Sequence, residues 1–150
     1  MLVSACLLGV ACNHRGGSSP STSVTALAAD HRLLPVCPEV AGGLPTPRPA
    51  AELTAEGRVG TADGTDVTDL YRRGAEHAVA VAVAAGAAGA VLKARSPSCG
   101  CHRIYDGTHT RVLVDGDGVT AAALRAAGLP ICSEEDLEGS GVLPWTVPGA

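Results

Sequence analysis

Six cysteines, at positions 6, 12, 37, 99, 101 and 132, are the residues of this 150-residue chain best equipped for chemistry. Structural disulfides are rare in a reducing compartment, so repeated cysteine points first to metal binding or catalysis. Structural zinc sites recruit close C-x2-4-C pairs, and none exists here, because Cys99 and Cys101 are separated by a single residue. Dispersed thiols that converge in space suit soft metals: zinc, copper, or an iron–sulfur core large enough to bridge its ligands. The flanks divide the six. Cys6 precedes Leu7-Leu8-Gly9, Cys37 sits in Pro35-Val36-Cys37-Pro38-Glu39, and Cys99 sits in Ser96-Pro97-Ser98-Cys99-Gly100. Pro and Gly put these thiols at chain corners, where freed backbone N–H groups can donate to sulfur. Glu39, Ser96 and Ser98 add proton-transfer and hydrogen-bonding groups, although Ser-Pro-Ser also reads as a turn cap. Cys12, Cys101 and Cys132 read as small buried hydrophobes.

Corners need elements to hold them. Short apolar runs rich in β-branched residues, at 2–8, 33–37, 90–94 and 129–132, predict buried parallel strands. Helical patterns at 21–30, 67–85 and 120–127 alternate with them. The middle helix takes Asp66 as N-cap, buries positions 67, 70, 71, 78, 79, 82 and 83, and ends at Gly86 or Gly89. Gly128 stops the third. The order βαβαβαβ predicts a single-domain α/β fold, a Rossmann-like open parallel sheet with right-handed crossovers. Cys6, Cys37, Cys99 and Cys132 then fall at or just past strand C-termini, whose shared edge is where such sheets bind ligands. The domain is expected over 1–138, with a Pro/Gly-rich tail over 139–150. Residues 38–64 show no regular element and read as a lid or binding wall. Residues 104–114 suggest a hairpin with Tyr105-Asp106-Gly107 at its tip.

Composition narrows the classes. With 46% hydrophobic residues but no Phe, one Trp, one Met and two Tyr, the core has to be filled by Ala, Val and other small aliphatic side chains. Only 17% of residues are charged and the net charge is −4, so no footprint for a nucleic-acid backbone is present. The longest uncharged run, 78–92, is about 15 residues against the ~20 of a bilayer span. The N-terminus lacks the basic region of a secretory signal, and a cytoplasmic protein is expected. Residues 9–19 follow a strand and precede a helix, yet carry neither G-x-G-x-x-G nor a Walker Lys.

The sequence resembles a family of small domains, formerly of unknown function, that includes bacterial thiouracil desulfidase. The likeness runs through Val3-Ser-Ala-Cys-Leu-Leu-Gly9, Pro35-Val-Cys-Pro-Glu39, Gly43-Leu-Pro-Thr-Pro-Arg48, Gly64-Thr-Asp-Val-Thr68, Leu92-Lys-Ala-Arg-Ser-Pro-Ser-Cys-Gly100, Ile104-Tyr-Asp-Gly107 and Gly116-Asp-Gly-Val-Thr-Ala121. The resemblance implies a 4Fe-4S cluster on Cys6, Cys37 and Cys99, with one iron open. Such an iron is a Lewis acid able to take a thiocarbonyl sulfur and retain sulfide. The implied reaction is hydrolytic desulfuration of a small thiolated base or nucleoside such as thiouracil, with Glu39 moving the proton and Ser96 or Ser98 placing water. Where the family often has Arg-Tyr-Asp-Gly, this chain has Asn13-His14-Arg15-Gly16-Gly17, which bears on base specificity.

The competing class is a non-catalytic zinc or iron–sulfur protein, its fourth position closed by Cys12, Cys101 or His102. A Cys nucleophile with a His partner is a third reading, but His14, His31, His77, His102 and His109 show no recognisable pairing. Arg48 and Lys93 are candidates either for compensating an anionic cluster or for ordinary salt bridges.

Overall fold

Strand β1 (Leu2–Ser4) is the axis of the molecule, because the chain departs from it in both directions. β2 (Leu34–Val36) pairs with one side of it, and β5 (Ala90–Leu92) with the other. β8 (Ile131–Ser133) extends the sheet beyond β5, giving the order β2-β1-β5-β8 with all pairs parallel. The computed structural model describes residues 1–146 of the chain. Right-handed crossovers put helices on opposite faces when the chain reverses direction along a sheet. Hence α1 (Thr22–Ala26) lies on one face and α3 (Thr68–Ala84) and α4 (Val119–Ala126) on the other, and α5 (Glu134–Ser140), which follows the last strand, packs on the α1 face. The architecture is the Rossmann-like α/β sheet expected from the strand–helix alternation.

The two-residue period of a strand explains the two cores. Leu2, Ala90, Leu92 and Ile131 point to Ala78, Ala82, Ala121 and Leu124 of α3 and α4. Val3, Val91 and Cys132 point the other way, to Val24, Leu137 and Leu143. Leu2, Val3, Val91 and Leu92 are all fully buried, each worth about 1.5–3 kcal/mol by removal from water. Alanine at the helix positions compensates for the missing Phe by letting the helices lie close to the sheet.

Several local expectations need correction. The first strand stops at Ser4, and Ala5–Leu8 form a 3-10 turn that carries Cys6 off the sheet edge. Residues 38–64 are not irregular. They hold a short helix α2 (Pro38–Ala41) and an antiparallel hairpin, β3 (Ala51–Leu53) and β4 (Val59–Thr61), over a third small core of Ala51, Val59 and Tyr71. Val67 is the N-cap residue of α3, while Asp66 accepts the Thr68 N–H at 2.9 Å and so still serves its first turn. The second hairpin, β6 (Arg103–Tyr105) with β7 (Leu113–Asp115), carries a seven-residue loop, 106–112, instead of a tight turn at Tyr105-Asp106-Gly107. α5 runs past residue 138, Leu143 is buried, and Trp145 packs on Gly89. Residues 147–150 of the expected tail lie outside the described residues. Among the described residues no helix is long and apolar enough to cross a membrane.

Candidate active site

The sheet reverses its strand order between β1 and β5, and open parallel sheets take their ligands at the C-terminal edge of that point. A cavity of about 500 Å³ lies there. Its walls come from the turn after β1 (Cys6, Cys12 to Arg15), the corner after β2 (Cys37 to Glu39), Arg48, Tyr71 of α3, the loop after β5 (Lys93 to Pro97, and Cys99) and Tyr105. A second depression, of about 580 Å³ across the outer faces of α3 and α4, is lined by Val79, Val83 and other small apolar residues with Arg72 and Glu76, and holds no thiol. The chemistry is concentrated in the first.

Local structure explains how each group arrives. Cys6 rides on the 3-10 turn, which Gly9 closes in the left-handed conformation. Cys37 is the N-cap of α2 and Pro38 its first helical residue, so the corner turns immediately after β2 and presents Glu39 in the first helical turn. α2 is seated by a reciprocal glycine crossing on α3. A Cβ on Gly74 would come within 1.9 Å of the Pro38 carbonyl oxygen, and one on Gly42 within 2.0 Å of that of Leu70. The Cys99 turn is pinned to α4. Gly118, Val119 and Thr120 donate their N–H groups to the carbonyls of Gly100, Pro97 and Ser98 at 2.8, 2.9 and 2.8 Å.

The structure brings Cys6, Cys12, Cys37 and Cys99 to this one cavity; Cys101 and Cys132 do not line it and pack on opposite faces of the sheet. Burial, with the neighbouring Cys37 sulfur, pushes the Cys6 thiol up to about 11. Burial raises Cys99 to about 12, opposed by the Ser4 hydroxyl, and raises Cys12 to about 12 with Cys37 beside it. The thiols of Cys6, Cys12 and Cys99 are therefore held protonated at neutral pH unless a cation takes the charge.

Glu39 is the centre of a partly buried polar group. Its Oε1 accepts from the Tyr71 hydroxyl and, at 3.3 Å, from Nε of Arg48. The Tyr71 hydroxyl is itself raised far above the usual phenol range by burial and by that carboxylate, and stays a donor. Tyr71 was legible in the sequence only as an apolar position of α3, and its role as the Glu39 partner had no sequence signal. Lys93 is paired with Glu134, Nζ to Oε1 at 2.7 Å, and the same carboxylate accepts the Ala94 N–H at 2.7 Å. Both Arg48 and Lys93 thus make salt bridges while lining the cavity.

The two serines part company. Ser96 lines the cavity, its Oγ accepting N–H groups from Ser98 at 3.2 Å and Cys99 at 3.0 Å. Ser98 is fully buried away from the cavity lining, its hydroxyl bonded to that of Thr120 at 2.8 Å. It fastens the Cys99 turn to α4.

The donor set fits an iron–sulfur cluster. Three soft sulfur donors from three strand ends surround a space large enough for a multi-atom core, and the buried guanidinium of Arg48 lies 3.9 Å from the Cys37 sulfur. Among the described residues, no three His, Cys, Asp or Glu side chains are grouped so as to hold a single metal ion.

Comparison with known proteins agrees with this geometry. The family described as 2-thiouracil desulfurase matches residues 1–136. An uncharacterised Bacillus subtilis (strain 168) protein, YbbK, is 39% identical over 146 residues, covering 91% of this chain and 97% of its own. The solved structure of the [4Fe-4S]-dependent thiouracil desulfidase TudS superposes with a TM-score of 0.86, at 47% identity and 94% coverage of both chains. With sequence, fold and sulfur-lined cavity in agreement, the chain belongs to the 2-thiouracil desulfurase family.

Proposed function

We propose that this protein is a [4Fe-4S]-dependent thiouracil desulfidase, which replaces the thiocarbonyl sulfur of a small thiolated pyrimidine base or nucleoside with oxygen from water and releases sulfide. The observation that carries this is the meeting of Cys6, Cys37 and Cys99 with Glu39 around one cavity at the sheet's reversal point, in a chain of this family. The relative TudS is a thiouracil desulfidase that depends on such a cluster.

Cys6, Cys37 and Cys99 would hold the cluster as thiolates. When bound, it would supply a Lewis-acidic iron able to take the thiocarbonyl sulfur. The protein's own groups handle water and protons. Oε1 of Glu39 is engaged by Tyr71 and Arg48, which leaves Oε2 as the oxygen that exchanges a proton with the attacking water and the departing sulfur. Ser96 Oγ accepts two backbone N–H groups, so its own proton is free to donate into the cavity and orient the water or the ring carbonyl. Carbon exchanges C=S for C=O, water is consumed, and no electron is transferred. A cytoplasmic setting belongs to the same reading, because repeated cysteines that bind a metal centre suit a reducing compartment.

The test is anaerobic reconstitution of the parent chain and of Glu39→Gln. Both should turn brown and bind about four irons and four labile sulfides, as a cubane requires. The parent should convert thiouracil to uracil with sulfide release, while the variant falls by about 10²–10⁴-fold in kcat. A colourless parent overturns the proposal, whereas a Glu39→Gln enzyme as fast as the parent makes Glu39 structural and passes the proton step to Ser96, Ser98 or solvent.

A further inference from the structure

Arg48 is a charge buried almost completely, its side chain 2% exposed. A guanidinium in such a place persists only when its fork is matched by acceptors and its charge by an anion. Nη1 donates to the carbonyl of Pro45 at 3.1 Å and to Thr46 Oγ1 at 3.0 Å, and Nη2 donates to the carbonyl of Cys12 at 2.8 Å. None of these carries a charge. Glu39 supplies one, but through a single Nε contact of 3.3 Å instead of the two-pronged pairing that guanidinium and carboxylate favour. The remaining contact is from Nη2 to Cys37 Sγ at 3.9 Å, within reach of the larger sulfur atom. That sulfur belongs to a cluster ligand of the desulfidase reading, so one guanidinium faces the centre and the carboxylate together.

We propose that Arg48 is the positioning and charge-matching residue of this centre, donating at once to the ligand sulfur of Cys37 and to the carboxylate of Glu39. It fixes the spacing between a cluster ligand and the proton-transferring group, and it draws negative charge off the sulfur. The inference rests on the desulfidase reading and adds to it how two of its parts are held in register. Only arginine serves: a lysine ammonium cannot reach both acceptors and the Cys12 and Pro45 carbonyls from one planar fork. Hydrogen bonds to ligand sulfurs raise the reduction potential of an iron–sulfur cluster, so the contact has a readout independent of turnover.

The experiment compares anaerobically reconstituted parent, Arg48→Lys and Arg48→Gln for iron and labile sulfide, midpoint potential by optical redox titration, and steady-state kinetics with thiouracil. The potential should fall in the order parent, Lys, Gln. kcat should fall by about 10–100-fold, the usual cost of losing a partner behind a metal ligand, with KM changed by less than about 3-fold. Glu39→Gln, which removes an anion from the same guanidinium, should leave the potential at or above that of the parent. Parent-like potentials in fully loaded Arg48 variants overturn the inference. If Arg48→Gln does not accumulate as folded protein, Arg48→Lys decides the point alone. A parent that takes up no cluster defeats the desulfidase reading, whereas an active, clustered parent whose potential ignores Arg48 defeats only the role of Arg48.

Discussion

Ser96 and Ser98 flank one proline, and nothing within Ser-Pro-Ser separates them. Their hydroxyls nevertheless have different partners: Ser96 accepts two N–H groups at the cavity wall, and Ser98 bonds to Thr120 in full burial. Ser96→Ala should keep its iron and lose about 10-fold or more in kcat, as loss of a positioned proton donor does. Ser98→Ala should leave kcat per bound cluster near that of the parent while costing about 1–3 kcal/mol of stability, because the Thr120 hydroxyl is left without its partner. Iron content, kcat and the urea midpoint of both variants separate the two roles, and a Ser98 variant that is stable yet inactive contradicts this assignment. At this scale the sequence was informative for the cysteines, whose Pro and Gly flanks mark the corners, and for Glu39, two residues from one of them. It was silent on Tyr71, because a tyrosine on the buried stripe of a helix looks the same whether or not its hydroxyl meets a carboxylate.

α2 is only four residues long and gains little stability from its own hydrogen bonds, so its placement depends on α3. The Gly42–Gly74 crossing brings the two backbones together more closely than any side chain allows. Gly74→Ala should push α2 off α3 and carry Cys37 and Glu39 with it, despite alanine's better helix propensity. We expect a loss of about 1–3 kcal/mol from overpacking, together with lower iron content after reconstitution. A variant as stable and as fully loaded as the parent would mean that α2 is held from elsewhere. The main strands and three helices were legible in the sequence because apolar runs and helical periodicity extend over enough residues to stand out. β3 and β4 were not. Each has three residues, lies among prolines and glycines, and is made a strand by its partner and by Tyr71 beneath it instead of by its own pattern.

For the molecule as a whole, the sheet divides the interior into two cores, and only one edge carries the chemistry. Cys132 belongs to the core under α1 and α5, where burial raises its thiol to about 12. Cys132→Ala should therefore bind a full cluster and turn over thiouracil like the parent, at a stability cost of about 1 kcal/mol for the small void left behind. Cys37→Ala should lose both iron and activity, and equal iron loss in the two variants would mean that the ligands are misassigned. The segment after residue 138 holds two anchors among its Gly and Pro residues, Leu143 and Trp145, that reach back to the same core and carry no periodic pattern to announce them. Trp145 packs on Gly89, the residue just before β5, and Met1 leads directly into β1. Both anchor points therefore lie at the strand-start edge, opposite the cavity mouth. The rim that Trp145 closes and the rim that opens on the cavity are thus opposite ends of the same strands, so a change that loosens the first leaves the second in place.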